Sequence, residues 1–293
     1  MRFRAEVSNS NLLMRIVQCV ERLAKNAVLK LTEQKLHIVV VSDGEGGLQM
    51  WSDVDPAALF TGYRVESLHG NEIHLEFNID NLLRALRSAQ GAQQAVLKLA
   101  KKQGLPVLAL GIQGVSGTGR RLTLHQDVPV RVLTPEQVGA LREPEVPDAH
   151  VHIMMPPLSS VRSVAERMRL MGDRMSVSAS GEGQLTLRVA SDRVDITTYF
   201  RGLENMSHDA ASGEAETAGG RAGHEFRTAT VDMKNFTRFL HSHHIAPRNI
   251  ICAILEHHAL VFYVYIGSSA PVGGNFDEQS CGSLTYYLPV RQV

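Results

Sequence analysis

The chain has 293 residues, 44 % of them apolar, and its 30 Lys/Arg match its 30 Asp/Glu, so the formal net charge is zero. That length allows about two domains, each with its own core, and the charge balance excludes a uniformly basic nucleic-acid coat. No apolar run approaches the ~20 residues of a membrane span, and Cys19, Cys252 and Cys281, odd in number and far apart, point to reduced thiols in an intracellular compartment and not to a disulfide framework.

In chain order, Met1–Val7 alternates polar and apolar residues like a strand, with no hydrophobic signal segment, so secretion is not expected. Leu13, Ile16, Val17, Val20 and Ala24 recur at a helical period, which predicts a helix over 11–25 with Arg15, Arg22 and Lys25 on its far side. Strands are expected at Ala27–Leu31, Leu36–Val41, Leu48–Trp51, Tyr63–Val65 and Ile73–Phe77, with a hairpin turn at Gly44–Gly47. A helix over 80–90 follows, capped by Asp80 or Asn81 and carrying Arg84 and Arg87. Strands at Ala95–Leu99 and Val107–Ile112 complete the first half.

Residues 121–150 form the join, where Val128-Pro129-Val130 and Glu143-Pro144-Glu145-Val146-Pro147 favour extended backbone. The second half then repeats the order. A strand at Val151–Met155 precedes a helix over 158–171 that Pro156-Pro157 opens. Strands follow at Met175–Ala179, Leu185–Val189, Val194–Phe200 and Phe226–Val231. A helix over 232–244 and strands at Ile250–Leu255, Leu260–Ile266 and Leu284–Leu288 end the chain. Ser207–Gly223 and Gly267–Gly282 have the composition of mobile loops.

Two short stretches echo each other across the halves. Asn81-Leu82-Leu83-Arg84-Ala85-Leu86-Arg87-Ser88 returns as Asn235-Phe236-Thr237-Arg238-Phe239-Leu240-His241-Ser242, and Glu21-Arg22-Leu23 as Glu166-Arg167-Met168. Together the four predicted helices hold ten Lys/Arg against four Asp/Glu, so positive charge is sorted onto helices and negative charge onto the rest. The candidate phosphate-facing cations are Arg15, Arg22, Lys25, Arg84, Arg87, Arg162, Arg169, Lys234 and Arg238. With no aromatic platform beside them they suit duplex phosphates, which carry no sequence information, better than single-strand stacking. On any one helix the same cations would simply solvate a polar face.

Other motifs carry less. Gly114–Gly119 followed by Arg120-Arg121 misses the Lys and Ser/Thr of a phosphate loop and reads as a turn. His241, His243 and His244 cluster, with His257-His258 downstream, but without the paired spacing of a structural zinc site, so no metal or cofactor is assigned. Asp43, Glu45, Asp53 and Asp55 read as solvated turns. Ser159-Ser160 suits a helix cap and lacks a nucleophile-elbow context.

Met1–Ala5, Met50-Trp51, Asn71–Glu76, Arg84–Gln90, His125–Val132, Glu143–Asp148, Ser163–Met168, Thr197–Phe200 and Tyr286–Pro289, in this order along the chain, resemble the sliding-clamp superfamily. Within it they are similar to the Hus-one family of the eukaryotic DNA-damage checkpoint clamp. The resemblance implies an α+β DNA-clamp fold: two pseudo-repeated domains, 1–124 and 151–293, each with two helices packed on antiparallel sheets, joined by a connector at 125–150. It implies a non-catalytic subunit, nuclear with the cytoplasm also allowed, of a heterotrimeric ring around duplex DNA. Rad-nine-like and Rad-one-like subunits would be its neighbours, an ATP-dependent clamp loader would open the ring, and repair enzymes and checkpoint factors would dock on it. The nine helix cations would line the channel. Edge strands holding Val107, Leu108, Leu110 and Ile112, and Val194, Ile196, Thr198 and Phe200, would meet the neighbours. A homotrimeric replication clamp and a metal-dependent nuclease stand as alternatives.

Overall fold

The computed structural model describes residues 1–41, 47–68, 70–115, 119–205, 225–267 and 280–291. The expected turn at Gly44–Gly47 and the loops at Ser207–Gly223 and Gly267–Gly282 fall wholly or mostly outside them. The chain forms two compact units, one of 1–41, 50–143 and 270–283, the other of 42–49, 144–269 and 284–293.

In the first unit the order is β1 (Arg2–Val7), α1 (Ser10–Glu21), β2 (Asn26–Leu31), β3 (Leu36–Val41), β4 (Gln49–Val54), β5 (Phe60–Glu66), β6 (Ile73–Asn78), α2 (Ile79–Ser88), β7 (Gln94–Lys102), β8 (Leu105–Val115), β9 (Arg121–Val132) and α3 (Pro135–Ala140). The strands lie side by side as β4-β3-β2-β6-β9-β8-β7-β1-β5. Alternation fixes which face is covered: β1 buries Phe3, Ala5 and Val7, and β6 buries Ile73, Leu75 and Phe77. Against them α1 buries Leu13, Met14, Ile16, Val17, Cys19 and Val20, and α2 buries Ile79, Leu82, Leu83, Ala85 and Leu86. Each such aliphatic side chain contributes about 1.5–3 kcal/mol when fully buried. The two helices also pack on each other.

The second unit runs β10 (Val151–Met154), α4 (Leu158–Met168), β11 (Arg174–Ser180), β12 (Gln184–Ala190), β13 (Asp195–Phe200), β14 (Arg227–Asp232), α5 (Met233–Phe239), a 3-10 helix over Leu240–Ile245, β15 (Asn249–Leu255), β16 (Ala259–Gly267) and β17 (Ser280–Pro289). Its pairings repeat those of the first. β2 pairs with β3 and β6, as β11 pairs with β12 and β14. β1 pairs with β7 as β10 does with β15, and β7 with β8 as β15 does with β16. Four strand pairings recurring in the same order are far harder to reach by chance than two similar octapeptides. At its centre Phe239 stacks on Phe262 with centroids 3.8 Å apart and meets Tyr286 edge-on at 5.3 Å. Cys19 and Cys252 are buried and Cys281 is half-buried, and none of the three is in a disulfide. Burial pushes the Cys252 thiol well above its ordinary pKa.

Several local expectations shift. The cap of α2 is Asn78, not Asp80 or Asn81: its side-chain oxygen accepts from the Asn81 N–H at 3.2 Å while its amide donates to the Lys25 carbonyl at 3.3 Å. Asp232 holds the same place before α5, accepting from Lys234 N–H at 2.8 Å. Asn78→Ala is therefore expected to lower stability by about 1–2 kcal/mol, read from urea unfolding. Asn78→Asp should recover much of the loss, because it restores the cap acceptor and gives up only the amide's donation to the Lys25 carbonyl. No serine caps α4; Pro157 stands at that position. Residues 125–132, expected in the connector, belong to β9, which pairs with β8 and, at its end, with β6. The glycine stretch at 114–119 joins β8 to β9, with Val115 opposite Arg121; its residues 116–118 lie outside those described, and the strand that follows it replaces the helix a phosphate loop needs. α3 escapes the periodicity because it buries nothing; its signals are the Thr134–Gln137 capping box and Pro135 at its first turn.

Candidate nucleic-acid interface

The cationic positions are set by the helix ends. α1 stops at Glu21, so Arg22 is its C-cap residue, and Lys25 lies in the bend that follows. The Lys25 carbonyl accepts from Ile79 N–H at 3.1 Å, tying the exit of α1 to the entry of α2. α4 ends one turn earlier than its apolar pattern suggests, which makes Arg169 its C-cap. Arg22 and Arg169 are therefore structural counterparts, whereas the Glu-Arg-Leu/Glu-Arg-Met match had aligned Arg22 with Arg167. Arg84 and Arg238 are each the sixth residue of their helices, α2 and α5. Cations at C-terminal turns complement the helix dipole, a modest stabilising term of about 0.3–1 kcal/mol.

Arg22, Lys25, Arg84, Arg87, Arg162, Arg169 and Lys234 are exposed; Arg15 and Arg238 are half-buried. Among the described residues, Arg162 is the one of the nine in an ion pair, with Glu166 Oε1 at 2.7 Å. That hydrogen bond holds the Glu166 carboxyl below the ordinary carboxylate range. Arg162 also donates to His243 Nε2 at 3.1 Å, so its charge is already answered within the unit. Arg84 is oriented without being neutralised, donating to Asn81 Oδ1 at 2.6 Å. Six strand cations behave differently. Lys30, Arg64, Lys102, Arg131, Arg188 and Arg227 each face a carboxylate. The other eight of the nine candidate cations are in no ion pair among the described residues, five in the first unit and three in the second, and two pairs of them, Arg22 with Arg169 and Arg84 with Arg238, hold matching places in the repeats.

The turn acids have structural partners. Asp53 pairs with Lys35 at 2.8 Å and Asp55 caps the turn at Ala57; Asp43 and Glu45 lie outside the described residues. His257 and His258 sit in the β15–β16 turn and are not part of the His241–His244 cluster; His258 Nδ1 contacts the Glu256 carbonyl. The rings of His241, His243 and His244 do come together, with ligand atoms within 4.8 Å of one another. The i,i+3 spacing of His241 and His244 was the available signal, and reading the segment as α-helix hid it.

One expected edge is not an edge. Val107, Leu108, Leu110 and Ile112 lie in β8, which is hydrogen-bonded to β7 on one side and β9 on the other. Their near-continuous burial is that of an interior strand. The open edge of this region belongs to β9 over 121–128, for which β8 is the partner among the described residues. Ile196, Thr198 and Phe200 lie on β13, whose partner among the described residues is β12, leaving its other edge open; Val194 precedes that strand. Exposed Leu122 on β9 and Tyr199 on β13 stand beside these edges.

Comparison with known proteins follows the same lines. A family model described as Hus1-like protein matches residues 1–292. Checkpoint protein hus1 of Schizosaccharomyces pombe is 33 % identical over 292 residues, 98 % of each chain. Checkpoint protein HUS1 of Homo sapiens is 28 % identical over 268 residues, 89 % of this chain and 94 % of that one. Among solved structures, the Proliferating Cellular Nuclear Antigen of Entamoeba histolytica superposes with a TM-score of 0.70 at 12 % identity, covering 99 % of both chains. PCNA of Thermococcus kodakaraensis gives 0.68 at 15 % identity, over 99 % of this chain and 100 % of that one. The fold is that of a sliding clamp.

Proposed function

The chain belongs to the Hus1-like protein family, and on that premise we propose how it works as a non-catalytic subunit of a heterotrimeric checkpoint ring around duplex DNA. The observation that carries the DNA part is the set of eight cations at the helices that form no ion pair among the described residues, with Arg22 and Arg84 of the first unit matched by Arg169 and Arg238 of the second. Arg15, Arg22, Lys25, Arg84, Arg87, Arg169, Lys234 and Arg238 face the phosphates, and Arg162 contributes less because Glu166 screens it. Such contacts attract a duplex without reading a base edge, so they fix no register and permit sliding.

Ring closure uses the open sheet edges. The edge of β9 over 121–128 belongs to the first unit and that of β13 to the second, so one meeting the other across a subunit boundary is a head-to-tail contact. Head-to-tail contacts close into rings when the rotation allows. Backbone hydrogen bonds supply the adhesion there, and side chains such as Leu122 and Tyr199 choose the neighbour. The neighbours are Rad-nine-like and Rad-one-like subunits, an ATP-dependent loader opens the ring, repair enzymes and checkpoint factors dock on it, and the site of action is the nucleus.

Co-expression with the two presumed partner subunits, followed by mass measurement, tests the assembly. A 1:1:1 complex is the expected result. A stable homotrimer of this chain that excludes both partners would favour the replication-clamp alternative and overturn the reading.

A further inference from the structure

The last turn of the α5 segment is built for something the clamp reading does not use. Over Leu240–Ile245 the helix tightens to 3-10 geometry, which eclipses side chains three residues apart. His241 and His244 consequently lie with ring planes 14° apart and centroids at 6.0 Å, and His243 sits 4.0 Å from His244. Ala246, in the left-handed region at φ 50, ends the turn just beyond them. Three imidazoles brought to one spot, all with ligand atoms within 4.8 Å of each other, is a donor set that suits a borderline-soft divalent metal.

The tautomer of His243 is fixed by its partners. Arg162 Nη1 can only donate, so His243 Nε2 at 3.1 Å must offer its lone pair. The Leu240 carbonyl can only accept, so His243 Nδ1 at 2.9 Å carries the proton. A ring nitrogen anchored to a backbone carbonyl, with the opposite lone pair presented outward, is the arrangement that orients metal-bound histidines. Arg162 occupies the place a metal would take on that lone pair. Glu166, one turn along α4, lies near enough to feel the charge of His241, so a carboxylate is at hand to balance a cation.

We propose that His241, His243 and His244 form a zinc-binding site, with solvent in the fourth position and Arg162 as the group that zinc displaces. Zinc–imidazole bonds of about 2.0–2.1 Å require the ligand nitrogens to close to roughly 3.4 Å from one another. The three rings, on a half-exposed turn, would have to draw closer than the 4.8 Å they now span. Loading would free Arg162 Nη1 from His243 while its Nε keeps the ion pair with Glu166, so the added positive charge on this helix pair is that of the metal itself.

The test is isothermal titration of the untagged, chelator-stripped full chain with Zn2+, alongside the visible spectrum with Co2+. One saturable site of micromolar affinity or better is expected, with the Co2+ bands of a four-coordinate centre. His241→Gln with His244→Gln should weaken binding at least tenfold while leaving the circular dichroism and thermal melt unchanged. Arg162→Gln should tighten it severalfold, because the His243 lone pair is no longer contested; a purely structural role for these residues would not produce a gain. Absence of saturable binding at tens of micromolar zinc, equal binding by the double variant, or unchanged affinity in Arg162→Gln would each overturn the proposal.

Discussion

Reversing the charge of Arg22 and Arg84 together, as Arg22→Glu with Arg84→Glu, is expected to cut the affinity of the assembled ring for a linear duplex about tenfold or more near 0.1 M salt. Both side chains are exposed and in no ion pair among the described residues, so the fold loses little. Arg22 caps α1 and Arg84 lies on the packed neighbour α2, so a negative charge there costs a few tenths of a kcal/mol against the helix dipole. The loss in binding is much larger because each cation that neutralises a phosphate adds about 0.9 to the slope of log affinity against log salt. Removing two should lower that slope by about 2, uniformly across duplex sequences. Arg162→Glu is the control: its charge is already shared with Glu166 and His243, and its slope change should be smaller. A salt titration of binding by the double variant that overlays the unmutated ring would refute the DNA-facing assignment.

Phe239→Ala should be the most damaging single substitution in the second unit. Phe239 has no solvent exposure and is held between the face of Phe262 and the edge of Tyr286, with Phe236 6.2 Å away. Truncation removes the ring and leaves a cavity that these three large neighbours cannot fill without abandoning their own contacts. The expected cost is about 3–5 kcal/mol, a large part of the ~5–15 kcal/mol that holds an ordinary domain folded. The residue sits between Arg238 and the histidine turn, so loss of order there would also disperse the cations and imidazoles. Differential scanning calorimetry should show the second unit melting roughly 6–20 °C lower. Phe239→Leu, which keeps most of the volume, should recover more than half of the loss.

Much of this architecture was legible from residue order, and the exceptions have physical causes. The apolar stripes of α1 and α2 and the alternation of β1, β6 and β11 are direct consequences of burying one face, so periodicity finds them. α3 buries nothing, so periodicity is blind to it, and only the Thr134-Pro135-Glu136-Gln137 capping signature marks its place. Strand identity was readable at Val107–Ile112, but position within the sheet was not. Which strand lies outermost depends on pairings between residues far apart in the chain. The unbroken burial of Val107-Leu108-Ala109-Leu110 is a local hint that β8 is interior. The helix cations were visible as a charge bias. That Arg162 is spent on Glu166 follows from their i,i+4 spacing, while its contact with His243, 81 positions away, does not.

The three thiols bear on how such a protein fares in a cell under chemical stress. Peroxide reacts with thiolate, and burial keeps Cys252 in its protonated, unreactive form while Cys19 is equally shut away from solvent. A protein whose relatives carry the name checkpoint is thereby left with its two core sulfurs inert to the oxidants that accompany damage. Cys281, half-buried, is the most accessible of the three, which makes it the expected attachment point for a single maleimide dye on an otherwise unaltered chain.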